Sequence, residues 1–203
     1  VILTGNERAF CAGEDLKETD AGKTAAQWIE EANGLQAIQR QIMQLGKPII
    51  AAVSGYALGG GCEFAMGCDI RIASESAVFG FPETGVGLTV TNAGTKLLTH
   101  LVGLGKAKEL VLTGAFIGAA EAARIGLVNQ VTPDGAEMDA ALAMAAKIAR
   151  RSSLALRLSR IAIDRGMESG FEQTMELEAS HLLVCAGSEG AYVARRLKEM
   201  KKG

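Results

Sequence analysis

AAVSGYALGGGCEFAMGCDIRIASESAVFGFPE, residues 51 to 83, is the stretch on which the reading of this chain turns. It runs from an apolar strand through Gly59-Gly60-Gly61 into a helix, read as Cys62 to Met66, that carries Glu63. A second strand then leads to Pro82 and a second carboxylate, Glu83. Glycines have no Cβ to shield their amides, so this backbone can come within hydrogen-bonding distance of a ligand. The same amides open a helix and carry the positive end of its dipole. Donors held there suit an oxygen on which negative charge develops, and two nearby carboxylates make an acid/base pair. Each feature taken singly has a plainer reading. The triplet is a tight strand-to-helix turn, Glu63 offsets the helix dipole, and Glu83 is a turn residue after proline.

The flanking residues change that balance. From Lys47 to Glu83 the chain closely resembles the central signature of the enoyl-CoA hydratase/isomerase family, also called the crotonase family. AFCAGEDLKE, Ala9 to Glu18, resembles that family's other signature, A-F-[SCA]-A-G-x-D-L. The two stand in the family's order and separation, and the resemblance runs from Val1 to about Leu183. It implies an α/β fold, a crotonase-like spiral of ββα turns. An α-helical C-terminal region would follow, building homotrimers often paired into hexamers. It also implies that an acyl-CoA thioester binds with its thioester oxygen between the amides of Glu14 and Gly60. Glu63 would mainly activate water and Glu83 would deliver a proton to the neighbouring carbon. Ala12, Asp15, Leu16, Gly59 and Thr91 would line the substrate. Relatives that only shift double bonds often keep one of the two acids, so the pair implies an enoyl-CoA hydratase. Coenzyme A is then part of the substrate, and no cofactor is implied.

The sequence departs from the family's pattern in three places. Glu14 occupies a position that is usually small, so its side chain must turn away from a developing negative charge. After Glu83 the family's Gly-x-x-Pro-Gly-x-Gly-Gly run becomes Gly87-Leu88-Thr89-Val90-Thr91-Asn92-Ala93-Gly94. In hydratases an amide at the position of Thr91 helps to hold the catalytic water, and a β-branched residue there restricts the backbone and narrows the pocket. That change keeps double-bond isomerisation open as an alternative. Members also carry a further segment before the strand at Val1, so the chain reads as lacking the family's N-terminal part.

Bulk properties exclude more than they assign. With 203 residues, the chain can form one well-packed domain and a helical appendage. Lys+Arg 21 against Asp+Glu 23 leaves a net charge of -2, no global field for nucleic acid. The basic tail, with Arg150, Arg151, Arg157, Arg160 and Arg165, then Arg195, Arg196, Lys198, Lys201 and Lys202, keeps an RNA-binding protein on a hydratase scaffold as the alternative of another class. We read them instead as solvated faces, a subunit interface or contacts to CoA phosphates. Apolar runs such as IIAAV are too short to cross a bilayer, and no basic n-region marks a signal peptide. The four cysteines form no CxxC pair or disulfide framework, which points to reduced thiols and a cytoplasmic location. Cys62 and Cys68 read as small buried hydrophobes. His100 and His181 stand in no triad context, and no metal-ligand spacing is present.

The remaining elements follow from periodicity. Val1–Gly5 reads as a buried parallel strand, and residues 6–18 as a loop ending in a short helix whose Asp15 and Lys17 are a cap and a solvated face. Leu35, Ile38, Ile42 and Leu45 fall at spacings of three and four, predicting an amphipathic helix over 25–45 that Lys47-Pro48 ends. Trp28 reads as packing. Strands are expected at 49–53, 69–73, 77–80 and 127–131, and helices at 94–101 and 106–112. A turn at 113–119 then leads to a helix ending at Gly126. Pro133-Asp134-Gly135 divides an α/β core, residues 1–132, from a helical region, residues 133–203.

Overall fold

A computed structural model describes residues 1–15, 17 and 22–201, with only the backbone of Arg196. Leu16, expected to touch substrate, lies outside the described residues, as does most of the polar segment after it.

The chain repeats one step: a strand in one sheet, a strand in a second sheet, then helix. The strands are β1 (Ile2–Thr4), β2 (Ala9–Cys11), β3 (Ile50–Val53), β4 (Tyr56–Leu58), β5 (Ile70–Ser74), β6 (Val78–Gly80), β7 (Ile117–Gly118) and β8 (Gln130–Thr132). One sheet has the order β1-β3-β5-β8 and is parallel throughout. The other has the order β2-β4-β6-β7, parallel except for the antiparallel β6–β7 pair. Ile50 pairs with Ile2 on one side and Ile70 on the other, so β3 is central and its four residues are all buried. That placement explains its uninterrupted apolar sequence. β1 lies at the sheet's edge and is half-buried at Ile2 and Leu3, not fully buried as its composition suggests.

The helices of this part are α1 (Ala25–Gln44), α2 (Gly60–Gly67), α3 (Gly94–Val102), α4 (Leu104–Thr113) and α5 (Ala119–Arg124), with a 3-10 turn at Pro82–Val86. Thr24 caps α1 in a capping box with Gln27. Its inward face differs from the expected stripe. Ile38 and Leu45 are each 48% exposed, while Gln39 is buried and donates from Nε2 to the Glu63 carbonyl at 3.3 Å. A polar residue takes the inner position because α1 packs on α2, where an amide can bond the helix backbone.

The sequence reading also missed three short strands. Residues 9–11 were expected in a loop, 56–58 in the approach to the glycines, and 117–118 in a turn. Two or three residues are too few to display an alternating pattern.

Arg71 fixes the far end of α2. It is 3% exposed, and its guanidinium donates from Nη1 to Cys68 O at 2.7 Å and from Nε to Leu127 O at 2.6 Å. Asp69, read as structural, accepts from the Ile49 amide at 2.7 Å. Cys62 and Cys68 are buried in the core with Phe79, Phe81 and Leu98.

The chain divides into two compact units, residues 1–45 with 49–145, and residues 46–48 with 146–203. α6 (Glu137–Ala149) crosses that limit. In the second unit α7 (Ser153–Gly166) and α9 (Gly190–Met200) both pack on α8 (Phe171–Ser188). Ser152 caps α7 by accepting from the Ala155 amide at 3.1 Å. Among the described residues, no helix is long and apolar enough to cross a membrane.

Candidate active site

Every described candidate lies in the first unit. β4 delivers the chain to Gly59, whose φ of 52° and ψ of -127° lie where a side chain is strained. The Gly59 amide is taken by Gly80 O at 2.9 Å. Gly60 is the first helical residue, so its amide has no carbonyl one turn back to bond. The helix therefore starts two residues earlier than Cys62 and includes the last two glycines. Gly61 permits the close approach of β2, because a Cβ there would run into the Cys11 carbonyl. The loop after β2 backs onto the same turn: a Cβ on Gly13 would lie 2.9 Å from Leu58 O and 3.8 Å from Gly59 Cα. The residues before Glu14 and those before Gly60 are thus neighbours, although they lie in different signatures.

Glu14 has its carboxylate turned to Lys23, with Oε1 at 2.9 Å from Nζ. Lys23 also binds Glu31 Oε2 at 2.5 Å and lies 4.6 Å from the centre of the Trp28 ring. This cluster gives the Glu14 side chain a partner at the start of α1. Asp15 caps the Lys17 amide at 2.9 Å, and Ala12 is exposed in the same loop.

The two glutamates converge on the glycine turn. A Cβ on Gly59 would lie 3.2 Å from Glu83 Oε1, and one on Gly60 would lie 4.0 Å from Glu63 Oε2. Glu63, on the first turn of α2, is 1% exposed. Its Oε1 accepts from the amides of Thr91, Asn92 and Gly94 at 3.2, 2.7 and 3.2 Å. Its Oε2 accepts from Asn92 Nδ2 at 3.1 Å. Each hydrogen bond to a charged group contributes about 1.5–3 kcal/mol, against a desolvation cost of several kcal/mol for a buried carboxylate. Burial prevails and, opposed by these amides and reinforced by the charge of Glu83, pushes the Glu63 carboxyl up to about 7.

Glu83 stands in the 3-10 turn and is half-buried. Burial also raises its carboxyl, offset in part by its own amide. Its Oε2 is buried with no hydrogen-bond donor among the described residues.

Thr91 has an exposed side chain, and its amide is committed to Glu63. Ala93, where the family has glycine, adopts φ 59° and ψ 15°, the only non-glycine positive φ among the described residues. Val90 is buried in the core. The sequence reading did not find Asn92, Gly94, Gln39 or Lys23. The first two act largely through peptide groups, which residue type does not announce. Among the described residues no three His, Cys, Asp or Glu side chains gather as a metal-binding set.

Comparison with known proteins shows the family and the fold. A family model described as enoyl-CoA hydratase/isomerase matches residues 1–189. The short-chain-enoyl-CoA hydratase of Clostridium acetobutylicum is 42% identical over 199 residues, covering 93% of this chain and 72% of its own length. The crotonyl-CoA hydratase of Syntrophomonas wolfei is 41% identical over 191 residues, covering 93% of this chain and 73% of its own. A crystal structure of an enoyl-CoA hydratase from Bacillus anthracis superposes with a TM-score of 0.92 at 37% identity, over 98% of this chain and 78% of that one.

Proposed function

The chain belongs to the enoyl-CoA hydratase/isomerase family, and on that footing we propose that it adds water across the 2,3 double bond of an enoyl-CoA thioester. The observation that carries this reading is the convergence of Glu63 and Glu83 on adjacent glycines of one turn. Hydration must take a proton from water and deliver one to carbon. Two carboxyls facing one small space can do both.

In this reading the thioester oxygen lies between the amides of Glu14 and Gly60. Donors fixed beforehand favour the enolate over the bound substrate, and losing one such donor costs about 3–4 kcal/mol in other enzymes. Water gives its proton to Glu63 as its oxygen bonds to C3 of the substrate. The electron pair of the double bond moves onto the thioester oxygen, and Glu83 protonates C2 as the carbonyl re-forms. The proton gained by Glu63 balances the one lost by Glu83, and its return resets the pair.

The neighbours of the two acids differ. A proton on Glu63 Oε2 would face the Asn92 amide, and one on Oε1 would face three peptide N–H groups. Glu83 Oε2 meets no such donor among the described residues. Burial raises both carboxyls and the Glu63 donors oppose it only in part, so the pair shares the proton and titrates together.

Coenzyme A belongs to the substrate, and no separate cofactor is needed. The same reading takes in a cytoplasmic location and a trimer or hexamer. Exposed Phe171, Leu182 and Leu183 on α8, at 79%, 69% and 75%, support assembly. Incubation with crotonyl-CoA and, separately, with a 3-enoyl-CoA tests the reaction. We expect 3-hydroxybutyryl-CoA from the first. Double-bond migration in the second with no hydroxyacyl product from the first would overturn hydration in favour of isomerisation.

A further inference from the structure

Asn92 is 1% exposed and touches Glu63 twice, from its peptide N–H to Oε1 at 2.7 Å and from its side-chain Nδ2 to Oε2 at 3.1 Å. The peptide contact would survive almost any substitution. The side-chain contact would not. Among the described residues the carboxamide makes no other protein hydrogen bond, and its Oδ1 is buried without a donor. Among the described residues, Glu63 is thus the hydrogen-bond partner of the carboxamide.

Its placement matters because the two oxygens of Glu63 are not equivalent. Oε1 is saturated by three peptide groups, whereas Oε2 lies toward Gly60. Asn92 Nδ2 lies there too, 3.7 Å from where a Gly60 Cβ would be. Oε2 is therefore the oxygen able to meet a water, and one side-chain hydrogen bond orients it. No other side chain among the described residues donates to this carboxylate. The 3-10 turn presents Glu83 to it and its own helix presents Cys62, while β2 packs Cys11 against Gly61 and α1 sets the uncharged Gln39 on the Glu63 peptide carbonyl and Gln36 on that of Thr91.

We propose that Asn92 is a positioning residue for the reaction, its carboxamide holding Glu63 Oε2 toward the space beside Gly60 where water is deprotonated. The proposal rests on the assignment of Glu63 as the group that takes the water's proton. The position falls in the segment after Glu83 that departs most from the family's glycine-rich run.

Asn92→Leu keeps the peptide contact and approximate volume while deleting Nδ2. kcat for crotonyl-CoA should fall about 10- to 100-fold, the worth of one hydrogen bond to a charged group, with KM within about twofold. The acid limb of the kcat profile should move to higher pH, since the ionised form of Glu63 loses a donor. Asn92→Asp should be most active at low pH, where the protonated carboxyl of the new side chain can still donate to Oε2, and fail as that carboxyl ionises beside Glu63. An unchanged kcat, or a loss of kcat with the acid limb unmoved, overturns the proposal. If Asn92→Leu does not fold, the profile of Asn92→Asp decides alone, a rise in activity toward low pH supporting the role and a wild-type profile refuting it. A 13C titration of Glu63 in glutamate-labelled protein, assigned with Glu63→Gln, separates this proposal from the functional one. An upward move in Asn92→Leu supports positioning even if the wild type hydrates no enoyl-CoA, and an unmoved titration refutes it even if hydration is robust.

Discussion

The loop around Glu63 and the turn around Glu83 treat the same side chain in opposite ways. Residues 91–94 supply three peptide donors and one side-chain donor to Glu63. The turn at 82–86 leaves Glu83 with an oxygen that no described residue bonds. Both carboxyls are raised by burial, so burial does not separate their roles. The donors do. The ring of N–H groups fixes the direction of Glu63 and favours its ionised form against burial, whereas Glu83 has one oxygen with no such donor among the described residues.

The largest effects should come from breaking this difference directly. In the proposed mechanism Glu63→Gln or Glu83→Gln removes a proton-transfer group, and kcat should fall about 10²- to 10⁴-fold in steady-state hydration assays. Shortening discriminates between the two sites. Glu63→Asp withdraws the carboxylate from four fixed donors, while Glu83→Asp withdraws one of whose oxygens no such partner is held. The loss should therefore be greater at 63. A greater loss at 83 would show that the ring of donors is not what distinguishes the acids.

A smaller effect should be visible in stability. Glu63 and Glu83 are both raised, so the folded chain holds more protons than the unfolded chain from the ordinary range near 4.5 to about 7. Stability contributed by these groups is present below that window and is lost as pH rises through it. Glu63→Gln cannot ionise and escapes the larger part of that loss. Relative to wild type it should gain about 1–3 kcal/mol on going from pH 5 to pH 8, measured by urea unfolding at each pH. A gap between the two proteins that does not change with pH would mean that burial costs Glu63 nothing.

What the sequence disclosed and withheld divides along the same line. Glycines 59–61, Glu63 and Glu83 were legible because their chemistry belongs to their residue types and their spacing to one signature. The alternation between sheets was legible only through resemblance, since β2, β4 and β7 are too short to show a period. The shift of the inner face of α1 from Ile38 to Gln39 depends on a carbonyl of α2 that no local pattern reveals. The ring around Glu63 was hidden for the same reason. Three of its four donors are peptide groups, and Thr91, Asn92 and Gly94 look like an ordinary polar loop.

Ala93 offers the finest adjustment of the comparison. Its φ of 59° turns the chain so that the amides on either side, from Asn92 and Gly94, both reach Glu63 Oε1. A left-handed conformation costs an alanine about 1–2 kcal/mol, and the greater freedom of glycine in the unfolded chain gives back about 0.4–1 kcal/mol of that advantage. Ala93→Gly should therefore stabilise the protein by up to about 1 kcal/mol, read as a rise in Tm, while the acid limb of kcat stays where it is. A stabilised variant whose limb nevertheless moves would mean that the Ala93 methyl helps to hold the loop in register. The donors on Glu63 would then depend on a side chain as well as on the peptide geometry that brings them there.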